Sequence, residues 1–277
     1  MIKGIIKRIV MTLKKEKKVP VVKLVSESNI MSDKTVLITG GSGGIGKAIA
    51  KGVVAGGGKV IISGSNEDKL IKIRDEIGSE DKVKCLKIDF NHVELFDKKI
   101  EEAIKLFPEK KIDILVNCSG VIDHNDFFNV SEEIYDRVLN VNLKGTFFMC
   151  QAVGKYMVKN KIKGHILNLS SSSALRPAST PYNISKWGIR GFTKGLADVM
   201  APYGITVNAI GPGPTATEML GVSETDTIYH PTNPSGRYAT PEEIANLALF
   251  MISGAGDMIV GDTFYITGGS GTTTMHK

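Results

Sequence analysis

Cysteine is scarce in this chain of 277 residues: Cys85, Cys118 and Cys150 are odd in number, scattered, and show no Cys-x-x-Cys spacing. That excludes a disulfide framework and a thiolate zinc site, and it fits a reducing cytoplasm. The five histidines are dispersed, so the sequence offers no metal site. No run approaches the ~18 consecutive apolar residues of a membrane span. Internal repeats and low-complexity tracts are absent as well. Excess charge is missing from most of the chain: residues 1–32 hold eight Lys/Arg and two Glu, while the remainder carries 27 residues of each sign. The net charge of +6 is therefore confined to the first 32 residues. No basic stripe is left to bind nucleic acid.

What is present suits one large domain, residues 33–277, preceded by an extension, residues 1–32. Apolar residues make up 42%, an ordinary share for a soluble globule. From Val36 to Ile210, strand patterns alternate with helical ones, which predicts an α/β fold with a parallel sheet covered by helices on both faces. In the extension, Ile2, Ile5, Ile6, Ile9, Val10 and Leu13 share one side of a helix, and Lys3, Lys7, Arg8, Lys14, Lys15 and Lys18 the other. Such a helix over residues 1–18 suits the interface of an anionic membrane, or packing on its own domain, a sister subunit or a partner protein. Pro20 would end it. The interrupting lysines and the lack of a small-residue cleavage site argue against a secretory signal.

Two motifs carry chemistry. Thr35–Thr39 is a short apolar run that ends in Gly40-Gly41-Ser42-Gly43-Gly44-Ile45-Gly46 before a helical pattern opens. Glycine permits a sharp turn and a close backbone approach, and the free N–H groups of the helix start favour a pyrophosphate. The second motif is Tyr182-Asn183-Ile184-Ser185-Lys186. Positions i and i+4 share a helix face, so the phenol and the ammonium reach one bound molecule together. A neighbouring cation should lower the tyrosine pKa from ~10 and make Tyr182 a general acid or base.

With both motifs in place, the chain from about residue 33 onward resembles the short-chain dehydrogenase/reductase family. Further matches follow in family order: Asp89 after an apolar strand, Asn117-Cys118-Ser119-Gly120, Asn142, the serine run 170–173, Pro212-Gly213-Pro214-Thr215-Ala216-Thr217, Pro241-Glu242-Glu243, and Gly268-Gly269. The resemblance implies a doubly wound parallel sheet (a Rossmann fold) and interconversion of an alcohol and a carbonyl with a nicotinamide dinucleotide. It implies Asn142, Ser171, Tyr182 and Lys186 as the catalytic set, with Ser170 and Ser172 open as alternatives to Ser171. It implies cofactor contacts at Gly40, Ser42, Gly44, Ile45, Gly46, Ser65, Asp89, Asn117, Gly120, Tyr182, Lys186, Pro212, Gly213, Thr215 and Thr217. Asn142 would hold a water linking Lys186 to solvent. A homodimer or homotetramer through the helices containing Asn142 and Tyr182 is also implied.

Cofactor choice turns on residues 64–66. No acid stands at Gly64 to exclude the extra phosphate of NADP, and Ser65 and Asn66 could donate to it, so the reading favours NADP over NAD. The lid between Glu218 and Arg237 has more Thr, Ser, Asn, His and Arg than bulky apolar residues. This favours a small polar substrate such as a sugar, polyol or sugar derivative. Reduction of a 3-oxoacyl thioester on a carrier protein is the enzymatic alternative, with Arg237 and Lys144 as basic contacts. A cofactor-binding regulator or a membrane-tethered scaffold is the alternative of another class.

Overall fold

The computed structural model describes residues 29–223 and 227–273. The amphipathic segment 1–18 and most of the extension lie outside the described residues. Among the described residues, seven strands form one parallel sheet: β1 (Thr35–Thr39), β2 (Lys59–Gly64), β3 (Val83–Lys87), β4 (Ile114–Asn117), β5 (His165–Leu169), β6 (Thr206–Pro212) and β7 (Thr263–Ile266). Their order is β3-β2-β1-β4-β5-β6-β7, with in-register pairs such as Val36 opposite Val60 and Val36 opposite Ile114. The longer helices are α1 (Gly44–Ala55), α2 (Glu67–Ile77), α3 (Phe96–Ile104), α4 (Glu132–Leu139), α5 (Thr146–Lys159), α6 (Pro181–Met200) and α7 (Pro241–Ile252).

Successive strand residues point to opposite faces, and both faces are buried. Val36, Ile38, Val60, Ile62 and Val116 pack with Ile49 and Val53 of α1 and Ile244 and Ala248 of α7. Their neighbours Leu37, Ile61 and Leu115 pack on the other side with Ile100, Met149, Val153 and Ala197. Two separate cores therefore clamp one sheet. This explains why the strands read as continuous apolar runs rather than alternating ones. It also confirms the expected doubly wound α/β architecture.

The order of strands reverses between β1 and β4. From β1 the sheet grows one way to β3, and from β4 the other way to β7. At such a switch point the loops leaving the carboxyl ends diverge and open a crevice. The ends of β1, β4, β5 and β6 deliver Gly40, Cys118, Ser170 and Gly213 to that edge. One irregular element stands beside it: Asn140–Gly145 forms a π-helical turn that runs into α5. A π turn interrupts regular helix geometry and re-aims its side chains, and Asn142 is buried within it.

Candidate active site

The glycine turn has the shape a dinucleotide needs. Gly40 has φ +63°, and a Cβ there would stand 2.7 Å from the Ser119 nitrogen. A Cβ on Gly46 would collide with the Gly40 carbonyl oxygen. Helix α1 opens with no side-chain cap and no acid in its first turn. Its free N–H groups and positive dipole end are therefore left for an anion. Ser42 Oγ lies 3.5 Å from where a Cβ on Gly64 would be, which joins the turn to the end of β2. The residues present thus fit a dinucleotide. Ser65 is exposed beside them. Asn66 spends its Oδ1 on the Lys69 N–H as the cap of α2.

Ile45, Cys118, Gly120, Ser170, Ser171, Tyr182, Lys186, Gly213, Thr215 and Thr217 line one cleft, together with Ile122, Leu169, Met219 and Leu220. Helix α6 begins at Pro181 behind a Thr180 cap, so Tyr182 and Lys186 stand on its first two turns. The Lys186 Nζ lies 5.6 Å from the centre of the Tyr182 ring and donates to the Leu169 carbonyl at 2.9 Å. Lys186 is buried, and burial lowers its pKa to about 8. Burial pushes Cys118 up to about 12, so it is a neutral thiol.

The tyrosine departs from expectation. Burial raises the Tyr182 phenol above its ordinary range, and a hydrogen bond with Ser171 opposes the rise. The i,i+4 spacing places an ammonium nearby, but that ammonium is turned to the Leu169 carbonyl. At neutral pH Tyr182 is thus a phenol with its proton in place.

The serines separate by their partners. Ser170 Oγ donates to the Lys186 carbonyl at 2.9 Å and so holds α6 against β5. Ser171 is the serine that meets the Tyr182 hydroxyl, while its Oγ also accepts from the Ser173 N–H at 3.1 Å. Asn142 grips the opposite wall: its Oδ1 accepts from the Val121 N–H at 2.8 Å, and its Nδ2 donates to the Val121 carbonyl at 2.9 Å and to Ser185 Oγ at 3.1 Å. A Cβ at Gly120 would stand 3.4 Å from Asn142 Oδ1 and 3.7 Å from Lys186 Nζ. Glycine there keeps open the space between these two polar groups.

Other expected contacts are turned elsewhere. Asn117 is buried, and its Nδ2 donates to Asn168 Oδ1 at 2.9 Å and to Cys150 Sγ, inside the sheet. Asp89 folds back on the Asn91 backbone and side-chain amides. In the lid, Asn233 bonds Ser235 and the Arg237 carbonyl, Thr232 bonds His230, and Arg237 forms two hydrogen bonds to Glu243. Among the described residues of the lid, Met219 and Leu220 reach the cleft. The sequence reasoning missed Asp123, whose Oδ2 accepts from the Tyr182 N–H at 3.2 Å. No local signal links residues 59 apart.

A model of the short chain dehydrogenase family matches residues 34–227. The chain belongs to the short-chain dehydrogenase/reductase family. A 3-oxoacyl-[acyl-carrier-protein] reductase of Aquifex aeolicus is 35% identical over 245 residues, spanning 86% of this chain and 98% of that one. An L-rhamnose 1-dehydrogenase (NADP(+)) of Thermoplasma acidophilum is 33% identical, spanning 85% of this chain and 95% of that one. The crystal structure of a short chain dehydrogenase from Bacillus anthracis superposes with a TM-score of 0.81 at 34% identity, covering 90% of this chain and all of that one. The short-chain dehydrogenase/reductase described here is accordingly an NAD(P)-dependent oxidoreductase. Among the described residues, no helix is long and apolar enough to cross a membrane.

Proposed function

We propose that this enzyme reduces the carbonyl of a small polar substrate, with Tyr182 as the proton donor. The observation that carries the reading is a half-buried phenol that shares one cleft with Ser171 and has the buried Lys186 amine 5.6 Å from its ring. When bound, a nicotinamide dinucleotide would supply or accept the hydride. Tyr182 would protonate the carbonyl oxygen in reduction, or take the hydroxyl proton in oxidation. Ser171 would hydrogen-bond that oxygen and stabilise the charge that develops on it. Lys186 would hold the nicotinamide ribose. The space that Gly120 leaves between Asn142 and Lys186 supports a water there, through which Tyr182 could be reprotonated. Tyr182→Phe should lower kcat by about 100-fold or more while cofactor affinity, read by NADPH fluorescence, stays nearly constant. Undiminished turnover would remove Tyr182 from this role.

NADP is the favoured cofactor, because Gly64 presents no carboxylate to the adenosine ribose and Ser65 is free to donate. The similarity to the NADP-named rhamnose dehydrogenase adds to this. It also supports a sugar or polyol as substrate. The bond of Arg237 to Glu243 withdraws that guanidinium from an acidic carrier protein. The second reading, reduction of a 3-oxoacyl thioester, is favoured by the apolar Ile122, Met219 and Leu220 in the cleft. Comparing NADPH oxidation with acetoacetyl thioesters and with a panel of sugars and hydroxyketones separates the two.

The exposed Phe147 and Val199 border an apolar groove between α5 and α6. That groove supports a homodimer or homotetramer through these helices. We place the enzyme in the cytoplasm, with residues 1–18 as a peripheral contact to anionic membranes on the strength of their sequence pattern. Equal vesicle binding by the full chain and by a chain lacking residues 1–18 would end the membrane reading.

A further inference from the structure

We propose that Asp123 is a positioning residue for Tyr182, holding the tyrosine's backbone from a loop on the far side of the cleft. The proposal rests on the role given to Tyr182 above. Helix α6 already has a local start: Pro181 has no N–H to satisfy, and Thr180 Oγ1 accepts from Asn183 N–H at 3.3 Å. The donor left over is the N–H of Tyr182, and Asp123 takes it. On the other side of the same residue, the Tyr182 carbonyl accepts from Ser185 Oγ at 2.7 Å. Both backbone groups of Tyr182 are therefore fixed by side chains.

The two clamps also converge on one unit. Ser185 accepts from Asn142, and Asn142 grips both backbone groups of Val121, two residues before Asp123. The loop that carries Asp123 is thus tied to the turn of helix that carries the phenol. A small rotation of that turn would swing the ring away from Ser171.

Stability alone does not account for an aspartate here. Asp123 is 8% exposed, and among the described residues its Oδ1 is buried without a hydrogen-bond partner. An unsatisfied buried carboxylate oxygen is unfavourable, and a helix with a working threonine cap has no need of one. Features that sacrifice stability in this way concentrate where geometry serves function. The titratable groups facing Tyr182 are Lys186 from its own helix, Asp123 from the loop after β4, and Cys118, which faces Lys186 from the end of β4.

The test reads the tyrosine directly and needs no substrate. Full-length protein carrying tyrosine labelled with carbon-13 at Cζ is titrated by NMR, and the Tyr182 resonance is the one lost in Tyr182→Phe. Asp123→Ala should displace or broaden that resonance. It should also move its titration to higher pH, because the phenol loses its hold on Ser171. Asp123→Asn keeps an acceptor at the same place and should restore the wild-type resonance. An unmoved resonance in Asp123→Ala, whatever its Tm, overturns the proposal, as does equal displacement in both variants. Should the alanine variant fail to fold, Asp123→Ser, too short to span to the N–H, takes its place with the same expected shift. Turnover retained in Tyr182→Phe would sink the role of Tyr182 and leave the clamp standing. Turnover lost there, with an unmoved resonance in Asp123→Ala, would sink the clamp alone.

Discussion

Replacing Lys186 with methionine should change how stability depends on pH, by an amount that follows from its burial. The ammonium is 6% exposed and has the Leu169 carbonyl as its hydrogen-bond acceptor. Burial holds its pKa at about 8 instead of 10.5. The difference corresponds to about 3 kcal/mol that the folded state forgoes while the group is charged. The sign follows from proton counting. Between pH 8 and 10.5 the unfolded chain keeps a proton that the folded chain has released, so stability rises with pH. Below pH 8 both states are protonated, and the penalty is present in full. Methionine is unbranched, close in shape and uncharged, so Lys186→Met removes this titration while leaving the rest of the protein alike. Urea unfolding at pH 7.5 and pH 11 should show wild type gaining about 3 kcal/mol relative to the variant. Other groups, including the raised Tyr182, contribute to both proteins and largely cancel in the difference. Parallel stability curves across this window would show that the Lys186 amine does not titrate there.

Three further outcomes follow from the same geometry. Ser171→Ala should lower kcat by about 100-fold with little effect on cofactor affinity, since a donor to developing charge is lost. Ser170→Ala should chiefly lower Tm, because its hydroxyl ties the Lys186 carbonyl to β5; steady-state kinetics and thermal melts of the pair would expose an exchange of roles. Gly64→Asp should turn preference from NADPH toward NADH by about tenfold or more, a like-charge cost of about 1.4 kcal/mol. The nearest atoms to a Cβ there are 3.5 and 3.7 Å away, so the side chain fits, and an unchanged ratio of KM values would place the ribose elsewhere.

The sheet was legible because its cause is local. Runs such as Val36-Leu37-Ile38 are short, apolar at every position and closed by glycines, as a strand buried on both faces requires. The glycine turn was legible for a related reason, since φ +63° and a 2.7 Å approach leave room for little but glycine. Proximity of Tyr182 and Lys186 followed from helical spacing, but spacing carries no information on burial. Burial reverses the expected direction of the tyrosine shift. Composition is likewise silent on contacts in the lid: it registers hydroxyls and amides, not that Asn233, Thr232 and Arg237 bond within the lid and its neighbouring helix. Asn117 matched a motif, yet its side chain is committed to Asn168 and Cys150. The π turn that aims Asn142 and the carboxylate beneath Tyr182 depend on contacts between distant segments, which periodicity does not encode.

Several unfavourable groups of this molecule sit close together. A buried ammonium, a phenol raised by burial, a carboxylate oxygen without a partner and a π turn all lie around the carboxyl ends of β4 and β5. The buried charge and the unpartnered oxygen each lower stability. The two apolar cores on either side of the sheet supply the surplus that tolerates them. It follows that substitutions relieving these defects should stabilise the enzyme and weaken its chemistry, whereas cavities made in either core should cost stability first. For Lys186→Met at neutral pH the loss of a donor to Leu169 offsets part of the gain from releasing the buried charge, so Tm rises by less than the change in pH dependence alone implies.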